Sequence, residues 1–389
     1  MKTFVKLIGF LVAFTISGCF DNRSETELKV LNFRETTNSV NLALSDIIFD
    51  AHLIPLETND QSLIGPWAKY HVGEKYIIAV TREKILQFSS NGKFIRCLSI
   101  AGRGPDEFGD IANWQVDKAE ENLYFLQFPD NKIRKMSLED GRFLNPVNLH
   151  NGFKAEMFSL IDQNRFAIFP FHREEAEYLV FYQDSVGNLI EGIVAPREAL
   201  TPAMFSMIPP SRWDKRLYYY NTAIFGDTVF LLEGLKKSPF MVINAGEKVD
   251  PRASNSEGYS ASPITFSPEL CIFRSTKIKT SIDGAVNFEA QEFYMAKGPN
   301  LDLFEIESFL NDLTGKISTG SEMNNLASIM IDMEAGKAIF IIEAHELDKA
   351  KSSSIQGDIL QDKEELRPIL DKVTMDDNPI VLIGRLKTR

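Results

Sequence analysis

The strongest constraint in this sequence is a hairpin that recurs at near-constant spacing. In residues 84–95 an apolar run meets Asn91-Gly92 and a second apolar run begins. Residues 132–144 repeat the pattern around Asp140-Gly141, and residues 178–190 repeat it around Gly187. The three turn glycines are 49 and 46 residues apart. Asn-Gly and Asp-Gly supply the positive φ that tight hairpin turns need. Short strands repeating every 40–50 residues or so are the mark of propeller blades. Further strands are expected at 75–80, 114–117, 122–126, 158–161 and 165–169. Beyond residue 200 the repeat fades, with strands expected at 217–224, 228–232, 240–244, 269–274, 288–295, 328–333 and 338–342.

Six blades of about 50 residues fill the chain from residue 45 to 389 with loops to spare. The expected fold is therefore all-β: a six-bladed β-propeller of four-stranded antiparallel blades. Its last strand candidate, 379–386, and its first, 47–56, would pair in one blade and close the ring, removing a free sheet edge. Leu366, Ile369, Leu370 and Val373 stand at helical spacing, so a short amphipathic helix is expected there, starting close to Pro368. Residues 350–361 read as an exposed loop.

The amino terminus carries a different instruction. Lys2 and Lys6 precede an apolar run at 7–16, long enough for an export signal and too short to span a bilayer. Ile16-Ser17-Gly18-Cys19 follows, and resembles the lipobox of bacterial lipoproteins, in which the cysteine thiol takes the lipid. The reading is a signal peptide at 1–18, lipidation at Cys19, a polar tether at 19–44 and the propeller from 45 onward. Several acyl chains on one cysteine hold a protein firmly, at about 0.8 kcal/mol per buried methylene. The expected location is the cell envelope, with the outer membrane as the anchoring membrane.

The whole sequence has a formal net charge of −12, and removing the leader takes away only Lys2 and Lys6. So acidic a chain excludes a general nucleic-acid binder, which needs clustered Lys and Arg to neutralise phosphates. Besides Cys19 only Cys97 and Cys271 remain. Both stand among apolar neighbours and read as buried small hydrophobes, not as a disulfide framework.

Certain stretches resemble the six-bladed β-propeller lipoproteins of Bacteroidetes, relatives of the NHL-type propellers. They are Ile54-Pro55-Leu56-Glu57-Thr58, Asn91-Gly92-Lys93-Phe94, Gly102-Arg103-Gly104-Pro105-Asp106-Glu107-Phe108, Asp130-Asn131-Lys132-Ile133 and Asp377-Asn378-Pro379-Ile380-Val381-Leu382. The family commonly has a second glycine where this chain has Asp106. The resemblance implies a propeller on a lipid tether and no particular activity.

Candidate chemistry is sparse. In the Gly102–Phe108 stretch Arg103 could offer a guanidinium fork to a carboxylate or sulfate. Alternatively the stretch is a blade-to-blade crossover, with Arg103 paired to Asp106 or Glu107. Trp67, Trp114 and Trp213, with Tyr218-Tyr219-Tyr220, could offer platforms for sugar rings, or could wedge between blades. His172 is the histidine best placed in an exposed loop, and residues 202–213 could form part of a binding rim. No histidine spacing suits zinc, no nucleophile elbow appears, and no calcium loop is present. No catalytic residue, metal ligand or cofactor is assigned. The expected role is a non-catalytic binding or scaffold protein in the envelope, with a glycan, peptide or envelope protein as partner besides the membrane. The alternative is a propeller-type hydrolase or lyase with acidic residues at the central channel.

Overall fold

The computed structural model describes residues 28–127, 132–170, 177–194 and most of 211–387, apart from 352–366 and short loop segments. The signal segment and Cys19 lie outside the described residues. The fold is all-β, built from six sheets with a four-stranded antiparallel core. Sheet I comprises Lys69–Val72, Tyr76–Val80, Lys84–Ser89 and Phe94–Ile100. Sheet II comprises Ile111–Val116, Asn122–Gln127, Lys132–Ser137 and Phe143–Asn148. Sheet III comprises Ala155–Leu160, Arg165–Pro170, Tyr178–Asp184 and Leu189–Val194. The core of sheet IV is Ser211–Trp213, Arg216–Tyr220, Thr228–Glu233 and Lys236–Asn244. That of sheet V is Glu257–Phe266, Leu270–Thr280, Val286–Lys297 and Asp302–Asn311. Sheet VI runs Met330–Asp332, Lys337–Ile342, Ile380–Leu386 and then Ile48–Pro55.

The middle strands show why these sheets stack. A strand presents successive side chains to opposite faces, and here both faces are apolar. Ile77 and Ala79 face sheet VI, while Ile78 and Val80 face sheet II. Leu123 and Phe125 face sheet I, while Tyr124 and Leu126 face sheet III. Phe293 and Met295 face sheet VI, while Tyr294 and Ala296 face sheet IV. Every seam between consecutive sheets is thus an apolar cluster, and one of them joins sheet VI back to sheet I. Each large side chain buried this way contributes roughly 1.5–3 kcal/mol.

The hairpin glycine recurs further than the sequence suggested. Gly92, Gly141 and Gly187 have φ of 83°, 78° and 93°, and Gly234 and Gly298 continue the series at 59° and 81°. All five stand between the third and fourth strands of their sheets. Sheet VI has no such turn, because its fourth strand is Ile48–Pro55, paired antiparallel to Ile380–Leu386. Asn378 fixes that junction. Its amide donates to the carbonyls of Glu57 at 2.8 Å and Ser62 at 2.9 Å, and accepts from the Ile64 N–H at 2.9 Å. Two of the resembling stretches, from opposite ends of the sequence, meet here. Replacing Asn378 by leucine keeps the volume and strands these backbone groups in a buried site. At about 1–3 kcal/mol per buried group left unpaired, Asn378→Leu is expected to lower the melting temperature clearly, and a wild-type melting curve would refute this assignment.

The expected tether is corrected. Lys29–Asn32 adds to the outer edge of sheet IV, parallel to Met241–Asn244, and Ser39–Ala43 adds to sheet V, parallel to Asp302–Asn311. Leu31, Phe33, Leu42 and Leu44 are buried. Phe33 stacks on Tyr294 at 4.2 Å. Arg34 donates to the Ala245 carbonyl, pairs with Glu292 and covers the Tyr259 ring at 3.9 Å. The folded body begins by residue 29, because alternating apolar residues in a polar stretch found an edge to bury against. Cys97 is a second correction: it is exposed on an outer strand, whereas Cys271 is buried as expected. Of the helix expected near 366–373, Arg367–Leu370 is helical and Val373 is buried. A further helix, Ala344–Lys351, reaches into the expected loop at 350–361, whose remainder lies outside the described residues.

Candidate functional site

The register of sheet I sets out the site. Its end rungs are Lys69 with Val80 and Lys84 with Ile100. Trp67 stands two residues before Lys69, Arg82 occupies the turn between Val80 and Lys84, and Arg103 follows Ile100 by three. All three project past the same end of one sheet. With strands about 4.8 Å apart, the row from first to fourth strand spans roughly 15 Å. The Ala101 N–H donates to the Glu83 carbonyl at 2.7 Å, which ties the Arg103 loop to the Arg82 turn.

The Gly102–Phe108 stretch is a tightly closed loop. The Gly102 N–H donates to the Phe108 carbonyl, and the Phe108 N–H to the Ile100 carbonyl. The Glu107 carboxylate accepts from the Gly104 N–H at 2.7 Å. A side chain on Gly102 would meet that carboxylate at 1.9 Å, so Glu107 would have to swing aside and give up its bond to Gly104. Phe108 is buried in the seam between sheets I and II. From sheet II the Arg134 guanidinium donates to the Pro105 and Glu107 carbonyls and lies 4.0 Å over the Phe143 ring. The crossover reading therefore describes the loop's scaffold, while the arginine that secures it is Arg134. Arg103 is exposed and pairs with neither Asp106 nor Glu107. Arg82 is exposed as well. Glu83, Asp106 and Asp110 are exposed nearby.

Trp67 is the outlier among the aromatics. It is 81% exposed with φ of 63°. A bulky residue with positive φ costs roughly 1–3 kcal/mol and is held only when its surroundings impose it. The Ile64 N–H is fixed by Asn378 three residues earlier, and Lys69 is fixed by the sheet two residues later. Trp114 behaves otherwise: it packs half-buried into the seam between sheets I and II, the wedge role. Trp213 ends the first strand of sheet IV and pairs in register with Arg216, the first residue of the second, at the opposite kind of sheet end. His172 and residues 202–210 lie outside the described residues. Sequence reasoning singled out Arg103 and missed Arg82, whose only signal is a charged residue in a turn between two apolar runs.

Polar groups of the first strands also meet across sheets. Asn113 and Gln115 of sheet II accept from the backbone N–H groups of Phe158, at 3.1 Å, and Leu160, at 2.8 Å, on sheet III. Glu156, on that same first strand, is half-buried, and burial pushes its carboxyl up to about 7. Burial also raises Glu343, and burial, with the charge of Glu343, raises the Tyr70 hydroxyl. At the hairpin end Glu120 accepts from three backbone N–H groups, Glu74, Lys75 and Tyr76, locking sheet II to sheet I. Among the described residues no three His, Cys, Asp or Glu side chains converge as a metal site requires. No helix there is long and apolar enough to cross a membrane.

Residues 28–385 match a family described as a domain of unknown function, DUF4934. No curated protein matches the sequence. Among solved structures, a Bacteroides fragilis protein designated as exported superposes with a TM-score of 0.62 at 11% identity, covering 92% of this chain and 99% of that one. BamB from Moraxella catarrhalis gives 0.41 at 9% identity, covering 87% and 99%. The WD40 β-propeller domain of Doa1 gives 0.35 at 11% identity, covering 86% and 96%. The first of these likenesses extends to the fold and no further.

Proposed function

The chain belongs to the DUF4934 family, a domain of unknown function, and on that footing we propose that it is a lipid-anchored β-propeller that binds a ligand in the cell envelope without transforming it. Six apolar seams, and the pairing of Ile48–Pro55 with Ile380–Leu386, support a closed ring of six blades. The leader and Ile16-Ser17-Gly18-Cys19 support export and acylation at Cys19. The observation that carries the binding reading is the end of sheet I, where Trp67 is held exposed in a strained conformation beside the exposed Arg82 and Arg103.

An indole face packs on the apolar C–H surface of a sugar ring. Guanidinium forks bind carboxylates or sulfates bidentately. The ligand this row fits is a short carbohydrate carrying such anionic groups. Calorimetric titration of the chain from Phe20 onward with uronic-acid and sulfated oligosaccharides tests it. Binding is expected to weaken at least tenfold in the triple variant Trp67→Ala, Arg82→Ala, Arg103→Ala, with no fall in melting temperature because none of the three is buried. Failure of every such sugar to bind, preference for acidic peptides, or indifference to the triple variant would overturn the assignment. Recovery of the sugar unchanged is part of the expected result. Its cleavage would favour instead a hydrolase or lyase using Glu156, the half-buried carboxylate whose raised pKa supports that second reading.

A further inference from the structure

The amino-terminal segment runs as a belt around the outer edges of three consecutive sheets. It covers sheet IV with Lys29–Asn32, sheet V with Ser39–Ala43 and completes sheet VI with Ile48–Pro55. The step from one sheet to the next is ten residues from Lys29 to Ser39 and nine from Ser39 to Ile48. The same step taken backward from Lys29 reaches Cys19. The sheet packed against sheet IV on that side is sheet III, joined to it through Leu232 and Phe230. Ten residues of extended chain reach at most about 35 Å, so an acylated Cys19 keeps the membrane within that distance of Lys29, on the sheet beside sheet III.

The rim of sheet III differs from its neighbours. An uncovered outer strand is ordinarily blunted by a basic residue or a proline. The outer strand of sheet I has Arg96 and that of sheet II has Pro146. Among the described residues no strand pairs with the outer edge of Leu189–Val194, which carries the charge of Glu191 and no lysine, arginine or proline. Its Ile190, at a bulge in the strand, and Val194, at its end, are 50% and 68% exposed; Val186 in the adjoining turn is 71% exposed. Gly192, between them, leaves room for the Tyr178 ring, which would lie 2.4 Å from any Cβ there. Apolar side chains at the point the anchor can reach suit the interface of a bilayer.

We propose that the outer rim of sheet III, at Val186, Ile190 and Val194, rests on the membrane that holds Cys19, so that the propeller stands on its edge with the end of sheet I clear of the lipid. This rests on the acylation of Cys19 proposed above. The test uses the acylated protein in vesicles of phosphatidylethanolamine and phosphatidylglycerol containing a nitroxide-labelled lipid. In a Cys97→Ser background, whose remaining Cys271 is buried, a fluorophore is attached at Ile190→Cys, Val194→Cys or, on the outer strand of sheet I, Ile95→Cys. Quenching at 190 and 194 is expected to exceed that at 95 at least threefold. Equal quenching at all three positions, or stronger quenching at 95, in acylated protein overturns the rim contact and leaves the anchor standing. A wild-type protein that takes up no labelled palmitate and fractionates like Cys19→Ser overturns the anchor and the rim contact together.

Discussion

A chain shortened to begin at Ser45 is expected to lose its monomeric fold, whereas one beginning at Leu28 keeps it. The shorter chain lacks Leu31, Phe33, Leu42 and Leu44, all buried between or beside sheets IV, V and VI. At roughly 1.5–3 kcal/mol for each large side chain, the loss approaches the 5–15 kcal/mol or so that holds a typical domain together. It also bares the outer edges of Lys236–Asn244 and Asp302–Asn311. Unpaired edges recruit strands from other molecules, so the expected result by gel filtration is oligomer or aggregate. Phe33→Ala tests the same point with the chain intact. Removing a buried, stacked phenyl ring costs about 3–5 kcal/mol, so a marked fall in melting temperature is expected. A monomer from Ser45 onward with a wild-type melting curve would return residues 28–44 to the status of a tether.

Gly92→Ala is expected to be far more damaging than Gly298→Ala, although the two glycines occupy equivalent turns with nearly equal φ, 83° and 81°. Positive φ alone costs an alanine roughly 1–3 kcal/mol, and both variants incur that. At Gly298 nothing lies within 4 Å of a new Cβ. At Gly92 the Cβ would stand 2.1 Å from the Pro55 carbonyl oxygen, a contact with backbone that must move. Pro55 ends the strand paired to Ile380, and the Gly92 carbonyl accepts from the Glu57 N–H at 2.9 Å. The collision therefore falls where the two ends of the chain are joined. Chemical denaturation should show Gly298→Ala mildly destabilised and Gly92→Ala destabilised at least twice as much. Equal losses would mean that the turn conformation, and not the junction with sheet VI, sets the need for glycine.

The comparison of these two turns also shows how the sequence could be read and where it could not. Asn91-Gly92 and Asp140-Gly141 stand out because their turn residues name the turn type. Gly234 and Gly298 occupy the same place in their sheets, but Gly234-Leu235 and Gly298-Pro299 lack the Asn or Asp that flags a hairpin. Glu257–Phe266 escaped detection because Pro263 interrupts it; the strand accommodates that residue with a register shift between Pro263 and Thr265. Proline in a strand is tolerated at such a bulge. In the candidate site Arg103 drew notice through its glycines, while Arg82 joined it only through the rungs Lys69–Val80 and Lys84–Ile100.

The sequence by itself determined the all-β class, the hairpin period of the first three sheets and the pairing of its own two ends, because turn chemistry and the two-residue alternation of strands are local and survive in one dimension. Tertiary structure alone decided that residues 29–32 and 39–43 are strands, that Trp114 is a wedge while Trp67 is displayed, and that Arg134 rather than Arg103 secures the crossover. Each of these depends on which surface lies opposite a side chain, and the partners are far off in sequence: Glu107 is 27 residues from Arg134, and Asn378 is 314 from Ile64. No pattern within a few residues of Phe33 encodes Tyr294; only the packed sheets bring them to 4.2 Å.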